Sequence, residues 1–250
     1  MTRDLHTHTL YSDGKNTPEE MILAAIERGL DEIGISDHVY IFFDESYCMR
    51  ASEVEAYKAE IAAFKQKYKD RITVRCGVEY DLYSTASTEG FDYAIGSLHY
   101  LKCGETYYPI DCSKEGFVTL AREGFGGDYY ALAEAYFSLV SAYAARKDIS
   151  IVGHFDLIAK YNEGGILFDE GHPRYLAAAK GAADKLAAVG KIFEINTGAI
   201  ARGYRTVPYP APAIYDHLRQ KGAAFLLSSD AHNTGNIAFA FDKYKSLTER

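Results

Sequence analysis

Apolar and polar positions along this chain follow two periods. One is helical. Thr17-Pro18-Glu19-Glu20 supplies a capping residue, a proline suited to the first helical position and a capping-box glutamate. Met21, Ile22, Ala25 and Ile26 follow at helical spacing, and Gly29 is the stop. The same signals predict a helix from Ser52, with Glu55 as its box partner, to about Lys69, another from Asp128 to about Lys147, and two more opening at Pro173 and Pro210. The second period is that of short β-prone runs, at 4–6, 32–36, 72–79, 91–97, 149–153, 191–196 and 223–228. Seven strands separated mostly by helices predict βαβ units and a parallel sheet, closed into a barrel or doubly wound. The 81–90 connection is too short and polar for a crossover helix. The segment 100–127, rich in Gly, Tyr and charge, reads as a long loop over the active face.

No strand is followed by a Gly-rich phosphate loop, which removes the usual dinucleotide and nucleoside-triphosphate readings. At 250 residues the chain fits one barrel-sized domain, 1–250. Its 27 Lys and Arg against 35 Asp and Glu give a net charge of −8, so no broad nucleic-acid or anionic-membrane surface is expected. No long apolar segment suggests a signal peptide or membrane span, and the expected location is cytoplasmic. Cys48, Cys76, Cys103 and Cys112 are scattered, form no C-x-x-C pair and read as reduced, mostly buried thiols. The composition is also odd in its aromatic and imidazole content, with no Trp, 21 Tyr and 8 His.

The histidines carry the chemistry. Metal-capable side chains sit at the C-terminal end of nearly every expected strand: His6 and His8, Asp37 and His38, Glu79, His99, His154, and Asp230 with His232. In a parallel barrel these ends share one mouth, and i, i+2 pairs such as His6-x-His8 and Asp230-x-His232 point into the same cavity. Six histidines with Asp13, Glu79 and Asp230 make nine candidate ligands. That is too many for a single tetrahedral zinc and suits two or three divalent ions, Zn, Mn or Fe, with positions left open. His172 and His217 lie away from strand ends and receive no role.

The motifs His6-Thr7-His8-Thr9, Ser36-Asp37-His38, Gly77-Val78-Glu79, Gly96-Ser97-Leu98-His99, Gly153-His154 and Ser229-Asp230-Ala231-His232 resemble, in order and over essentially the whole chain, the polymerase and histidinol phosphatase (PHP) superfamily. Phe91-Asp92-Tyr93-Ala94-Ile95-Gly96-Ser97-Leu98-His99-Tyr100 and Glu194-Ile195-Asn196-Thr197 are most similar to its stand-alone histidinol-phosphate phosphatases. The resemblance implies a distorted (β/α)7 barrel and a trinuclear site. One ion would be held by His6, His8, Glu79 and Asp230, a second by Glu79, His99 and His154, and a third by Asp13, His38 and His232, with Glu79 bridging.

Three divalent ions bring about +6 against −3 from three carboxylates, a positive pocket for a phosphate dianion inside an acidic protein. The expected activity is hydrolysis of L-histidinol phosphate to L-histidinol and phosphate by a metal-bridging hydroxide. Glu79 is the bridging carboxylate in this expectation, and Asp230, His232 or a metal-bound water is the candidate for returning a proton to the leaving group. The alternative keeps the barrel and metals but takes protein phosphotyrosine or a nucleotide phosphate. Arg202 and Arg205, after the sixth strand, are the expected phosphate clamps. The family's other phosphate-binding Arg falls on Ala159 here, leaving Lys160 as the candidate in its place. Tyr100, Tyr107, Tyr108 and Tyr161 are candidate walls for an imidazole.

Overall fold

The computed structural model describes residues 2–249. Its first four strands are β1 (Arg3–Asp4), β2 (Glu32–Ile35), β3 (Thr73–Asp81) and β4 (Tyr93–Ser97), followed by an antiparallel hairpin, β5 (Tyr100–Cys103) and β6 (Thr106–Pro109). The last three are β7 (Ile151–Val152), β8 (Ile192–Asn196) and β9 (Ala224–Ser228). All except the hairpin pair in parallel in the order β1-β2-β3-β4-β7-β8-β9. The ends of this sheet meet: His8 N–H donates to Ala231 O at 2.9 Å, and Ala231 N–H donates to His6 O at 3.2 Å. Asp4 tightens the seam, its buried carboxylate accepting from the backbone of Ser229 and of Ala238. The result is the seven-stranded distorted barrel that strand counting and the family resemblance imply.

Helices cover the outside. The largest are α1 (Pro18–Glu27), α2 (Val54–Lys67), α3 (Lys114–Phe125), α4 (Tyr129–Val140) and α5 (Pro173–Ala188), with a four-residue α6 (Gly198–Ala201) and α7 (Pro212–Gln220) after β8. Met21, Ile22 and Ala25 of α1 pack with Tyr57 and Ile61 of α2 on Ile33 and Ile35 of β2. A larger apolar cluster joins α3, α4, α5 and α7 to the outer face of β3, β4, β7 and β8. The barrel interior holds a third, smaller one, where Leu5, Ile95, Ile151 and Leu226 pack with Tyr93 and Ile192. No helix among the described residues is long and apolar enough to cross a membrane.

Several capping signals read directly. Thr17 and Glu20 form the capping box of α1, and Asp128 accepts from Tyr130 N and Ala131 N at the start of α4. His172 caps α5 through Nδ1 and stacks on Tyr130, which accounts for one of the two unassigned histidines; His217 pairs with Asp184 at 2.8 Å. Three expectations need correction. The segment 100–127 is an ordered hairpin followed by a helix that Ser113 caps. The second helix is preceded by a 3-10 turn, Ala51–Glu53, in which Glu53, not Glu55, reaches back to Arg50 N. The helix expected at Pro210 opens at Pro212, because Tyr209, just before Pro210, bonds in both directions with Asn196 and holds the chain extended.

Tyr93 shows how tightly the interior is packed. Its ring crosses the inner faces of β2 and β3, and a Cβ on Gly34 or Gly77 would lie 1.9 Å from its hydroxyl oxygen or 2.1 Å from its Cζ. Both glycines serve close approach, not an unusual backbone angle. Gly77→Ala is therefore expected to destabilise the fold by about 3 kcal/mol, the upper range for overpacking a filled core, read by chemical denaturation. A second prediction concerns Asp156, fully buried, with one oxygen accepting from Ala211 N and the other unpartnered. Burial pushes its carboxyl up to about 7. Between about pH 4 and 7 the folded state holds a proton that the unfolded state has lost, so stability falls as pH rises through that window, by up to about 4 kcal/mol. Asp156→Asn should match the native protein near pH 4 and exceed it in stability at pH 8; a difference independent of pH would contradict this.

Candidate metal centre

The barrel mouth collects its side chains by strand periodicity. β3 is the longest strand, and its inward-facing alternation carries Gly77, Glu79 and Asp81. Glu79 ends up 1% exposed, with Oε2 at 3.2 Å from His6 Nε2, 3.5 Å from His8 Nε2 and 3.0 Å from His38 Nδ1. Its Oε1 lies 2.9 Å from His154 Nε2 and 3.5 Å from His99 Nε2. Asp230 Oδ1 sits 3.3 Å from His8 Nε2 and 3.7 Å from His6 Nε2. Asp13 reaches His38 at 3.7 Å and His232 at 3.3 Å. All nine sequence-derived positions therefore converge on one centre. Among the described residues three overlapping groups place their donor atoms within 4.8 Å of one another: His8, Asp13, His38 and His232; His6, His8 and Glu79; and His38, Glu79 and His99.

Electrostatics at this centre are those of a site short of cations. Burial alone would lower His6, but Glu194, Glu79 and Asp230 raise it well above its ordinary value. His99, likewise opposed by burial, is raised to about 9 by Glu79 and Asp81. His8 goes the other way, down to about 3, through burial and the neighbouring His232 and His38. Burial opposes ionisation of Glu79 and Asp230 too, yet the surrounding imidazoles, and Arg202 beside Asp230, hold both carboxyls well below the usual range. Several buried donor atoms have no hydrogen-bond partner among the described residues: His6 Nε2, both nitrogens of His8, Glu79 Oε2 and His154 Nδ1. Unpartnered buried nitrogens facing carboxylates are costly in a purely structural cluster and suit divalent ions. Imidazole and carboxylate donors without thiolate fit zinc, manganese or iron.

A second ring of carboxylates aims the histidines. Glu194 Oε1 takes His6 Nδ1 at 2.8 Å, and its Oε2 accepts from His154 N and Asn196 Nδ2. Asp81 accepts from His99 N at 2.8 Å and lies 3.4 Å from His99 Nδ1. The Glu194 bond fixes Nε2 as the His6 nitrogen free to ligate, and Asp81 anchors the His99 backbone. Sequence reasoning assigned neither residue a role, although each lies on the inward face of its strand, Asp81 two positions beyond Glu79. Asp37, flagged beside His38, faces away from the donors and accepts from Thr9 N, Thr9 Oγ1 and Ser12 Oγ, shaping the loop that carries Asp13.

The centre floors a cavity of about 480 Å³. Of the three cationic residues expected at phosphate, Arg202 lines it: Nη2 donates to Asp230 Oδ2 at 2.8 Å and Nη1 to Asp230 O at 3.0 Å. Asp230 adopts a left-handed backbone, φ 51°, and a Cβ on Gly198 would fall 2.8 Å from its side chain, so the Arg202–Asp230 pair needs glycine there. Lys160 also lines the cavity, tied to Asp111. Arg205 does not. It is buried behind the wall, donating to Ala159 O and forming a two-pronged pair with Glu170. Among the expected aromatic walls, Tyr100 lines the cavity, whereas Tyr107, Tyr108 and Tyr161 do not; Tyr47 and Tyr204 take their place.

Comparison with known proteins agrees with this geometry. A Deinococcus radiodurans protein named "Probable histidinol-phosphatase" is 32% identical over 267 residues, covering 98% of this chain and 92% of that protein. In fold the chain matches a Listeria monocytogenes crystal structure of similar designation, with a TM-score of 0.85 and 22% identity over 97% of this chain and 100% of that one. It also matches the Lactococcus lactis histidinol phosphate phosphatase, solved with zinc, L-histidinol and phosphate, at a TM-score of 0.72 and 19% identity, covering 99% and 92% of the two chains. The PHP domain model matches residues 4–198, a span that holds seven of the nine converging donors, and the chain belongs to the PHP domain family.

Proposed function

We propose that the protein is a metal-dependent phosphomonoesterase that hydrolyses L-histidinol phosphate to L-histidinol and phosphate. The observation that carries the reading is the set of nine donor residues, Glu79 at their middle, gathered at the barrel mouth, several with buried atoms that have no hydrogen-bond partner. The near full-length relatives that bear the histidinol-phosphatase name support the choice of substrate.

Two or three divalent ions would be held by His6, His8, Asp13, His38, Glu79, His99, His154, Asp230 and His232. Bound there, they would supply an ionised water near neutral pH and positive charge for phosphoryl oxygens. The rest of the chemistry belongs to the chain. Glu79 is shared between both halves of the centre. Arg202 holds Asp230 in place and presents its remaining donor capacity to the cavity, where a phosphoryl oxygen can take it. His232 Nδ1 lies 2.9 Å from Asp230 O and 3.2 Å from Arg202 Nη1, and its Nε2 faces Asp13 at 3.3 Å. Asp230 and His232 are the titratable side chains beside Arg202; Asp230 is held ionised there, so it would have to take up a proton before passing one to the departing alkoxide.

Glu79→Gln is expected to lower metal content below two ions per chain and turnover by at least about 100-fold, the upper end of what loss of even an outer partner costs. Metal analysis and phosphate release are the readouts, and normal turnover with full metal content would sink the proposal. Kinetics on histidinol phosphate, a phosphotyrosine peptide and nucleoside monophosphates test the substrate, with the highest kcat/KM expected for the first. Metal loading should also release protons. Without metal His99 titrates near 9 and His6 above its ordinary value, so both are charged at pH 7.5 and must deprotonate to ligate. About two protons per loaded chain are expected, and apparent metal affinity should rise with pH through that range. Calorimetry in buffers of different ionisation enthalpy reads this; proton-neutral loading would contradict it.

A further inference from the structure

The cavity wall carries a carboxylate that a bare phosphate site would not want. Asp111 follows the β5–β6 hairpin, and the bond from Ile110 N to His99 O, 2.8 Å, pins it beside the metal centre. Its Oδ2 takes Lys160 Nζ at 3.0 Å, while its backbone oxygen accepts from Lys160 Nζ and from the Tyr161 hydroxyl. The Asp111 and Lys160 side chains line the cavity with His99, His154 and Arg202, and the Asp111 side chain is 29% exposed, so it keeps a face toward the cavity. A negative group here repels a phosphate dianion unless the substrate brings a cation close to its own phosphate. It also ties up Lys160, which lines the cavity with Lys15 and Arg202.

We propose that Asp111 is the specificity-determining residue for an ammonium group on the second carbon from the ester oxygen, and that Lys160 is the cation it exchanges for that group. This deepens the phosphomonoesterase reading and rests on it. When a 2-aminoalkyl phosphate enters, one ion pair becomes two: Lys160 turns to the phosphate, and the Asp111 carboxylate takes the substrate ammonium. No charge is left unpaired, and no bond is made or broken. An alkyl phosphate without the amine leaves Asp111 either still holding Lys160 away from the phosphate or exposed as an uncompensated negative charge. Either outcome discriminates against it, so one carboxylate both attracts the right ester and rejects the wrong one.

The test compares 2-aminoethyl phosphate with ethyl phosphate, and both with histidinol phosphate, on metal-loaded native protein and on Asp111→Asn. The native protein is expected to prefer the amino ester by about 10- to 100-fold in kcat/KM, the span of one charged hydrogen-bonded contact. In Asp111→Asn that ratio should collapse to about one, through a higher KM for the amino ester and a rise in kcat/KM for ethyl phosphate. Equal losses on both esters, or no amine preference in the native protein, would overturn the inference. Inhibition of the native protein by 2-aminoethylphosphonate and ethylphosphonate gives the same contrast without any substitution, and equal inhibition constants would overturn it as well. If the native protein prefers amino esters, with the preference lost in Asp111→Asn, yet fails on histidinol phosphate, the substrate named above is wrong while the role of Asp111 stands.

Discussion

Glu79 is a carboxylate buried among five imidazoles, and both its oxygens are within 3.5 Å of ring nitrogens from four different strand ends. A charge so placed is tolerable only if its neighbours supply positive charge in fixed positions. The fold meets that condition by closure. His6 and His8 follow β1, His38 follows β2, His99 follows β4 and His154 follows β7, consecutive strands that curve around Glu79 on β3, and the meeting of the sheet's ends adds Asp230 and His232 after β9. Asp4, at the seam, therefore contributes to the site without facing it: its bonds to Ser229 and Ala238 bring the Asp230–His232 loop against β1.

Around Glu79 the charges alternate in shells. Imidazoles surround the central carboxylate, and Glu194 and Asp81 stand behind His6 and His99, each fixing a ring from the far side. Arg202 stands behind Asp230 in the same way. Opposite signs at short range keep the cluster compact, and Glu194 makes His6 a better ligand by polarising its remote N–H bond. This arrangement reconciles an overall charge of −8 with an anionic substrate. The negative excess lies on the protein at large, while the centre is built to take on cations.

The legible part of this architecture was the part governed by period. Alternation along strands predicted which residues face the mouth, and eight of the nine donors were named from their positions at strand ends; Asp13, in a turn, was named through the family resemblance. The same rule applied one step further would have identified Asp81, two residues beyond Glu79, and Glu194, two residues before Asn196. What period cannot supply is the direction of a side chain in a short irregular segment. Arg202 and Arg205 are three residues apart after the same strand, yet one closes on Asp230 and the other on Glu170, because the chain turns at Gly203 with φ 77°. Asp111 was invisible for a related reason. Its place depends on a hairpin whose strands, Tyr-rich and interrupted by glycine, look like loop in one dimension and are ordered by docking beside His99.

Three of the 21 tyrosines have a structural role at or beside the ends of the strands. Where a strand stops pairing and turns toward the site, its carbonyl groups lose their ladder partners while still buried, and each unpaired one is costly. The Tyr57 hydroxyl shares its one proton between Ile35 O and Gly77 O, across β2 and β3; the Tyr143 hydroxyl does so between Tyr80 O and Ser97 O, across β3 and β4. The Tyr136 hydroxyl donates to Phe155 O, just after His154. Each ring packs in the core around the barrel while its hydroxyl binds backbone beside a ligand-bearing loop, a division that Phe cannot make and that Trp, with a donor on a wider ring, makes less readily. Because Tyr57 and Tyr143 grip β3 from both sides, the strand that carries Glu79 is the most firmly placed at its tip. A carboxylate shared by several ligand sets must not shift toward one of them, and these hydroxyls, remote from the chemistry, hold it between them.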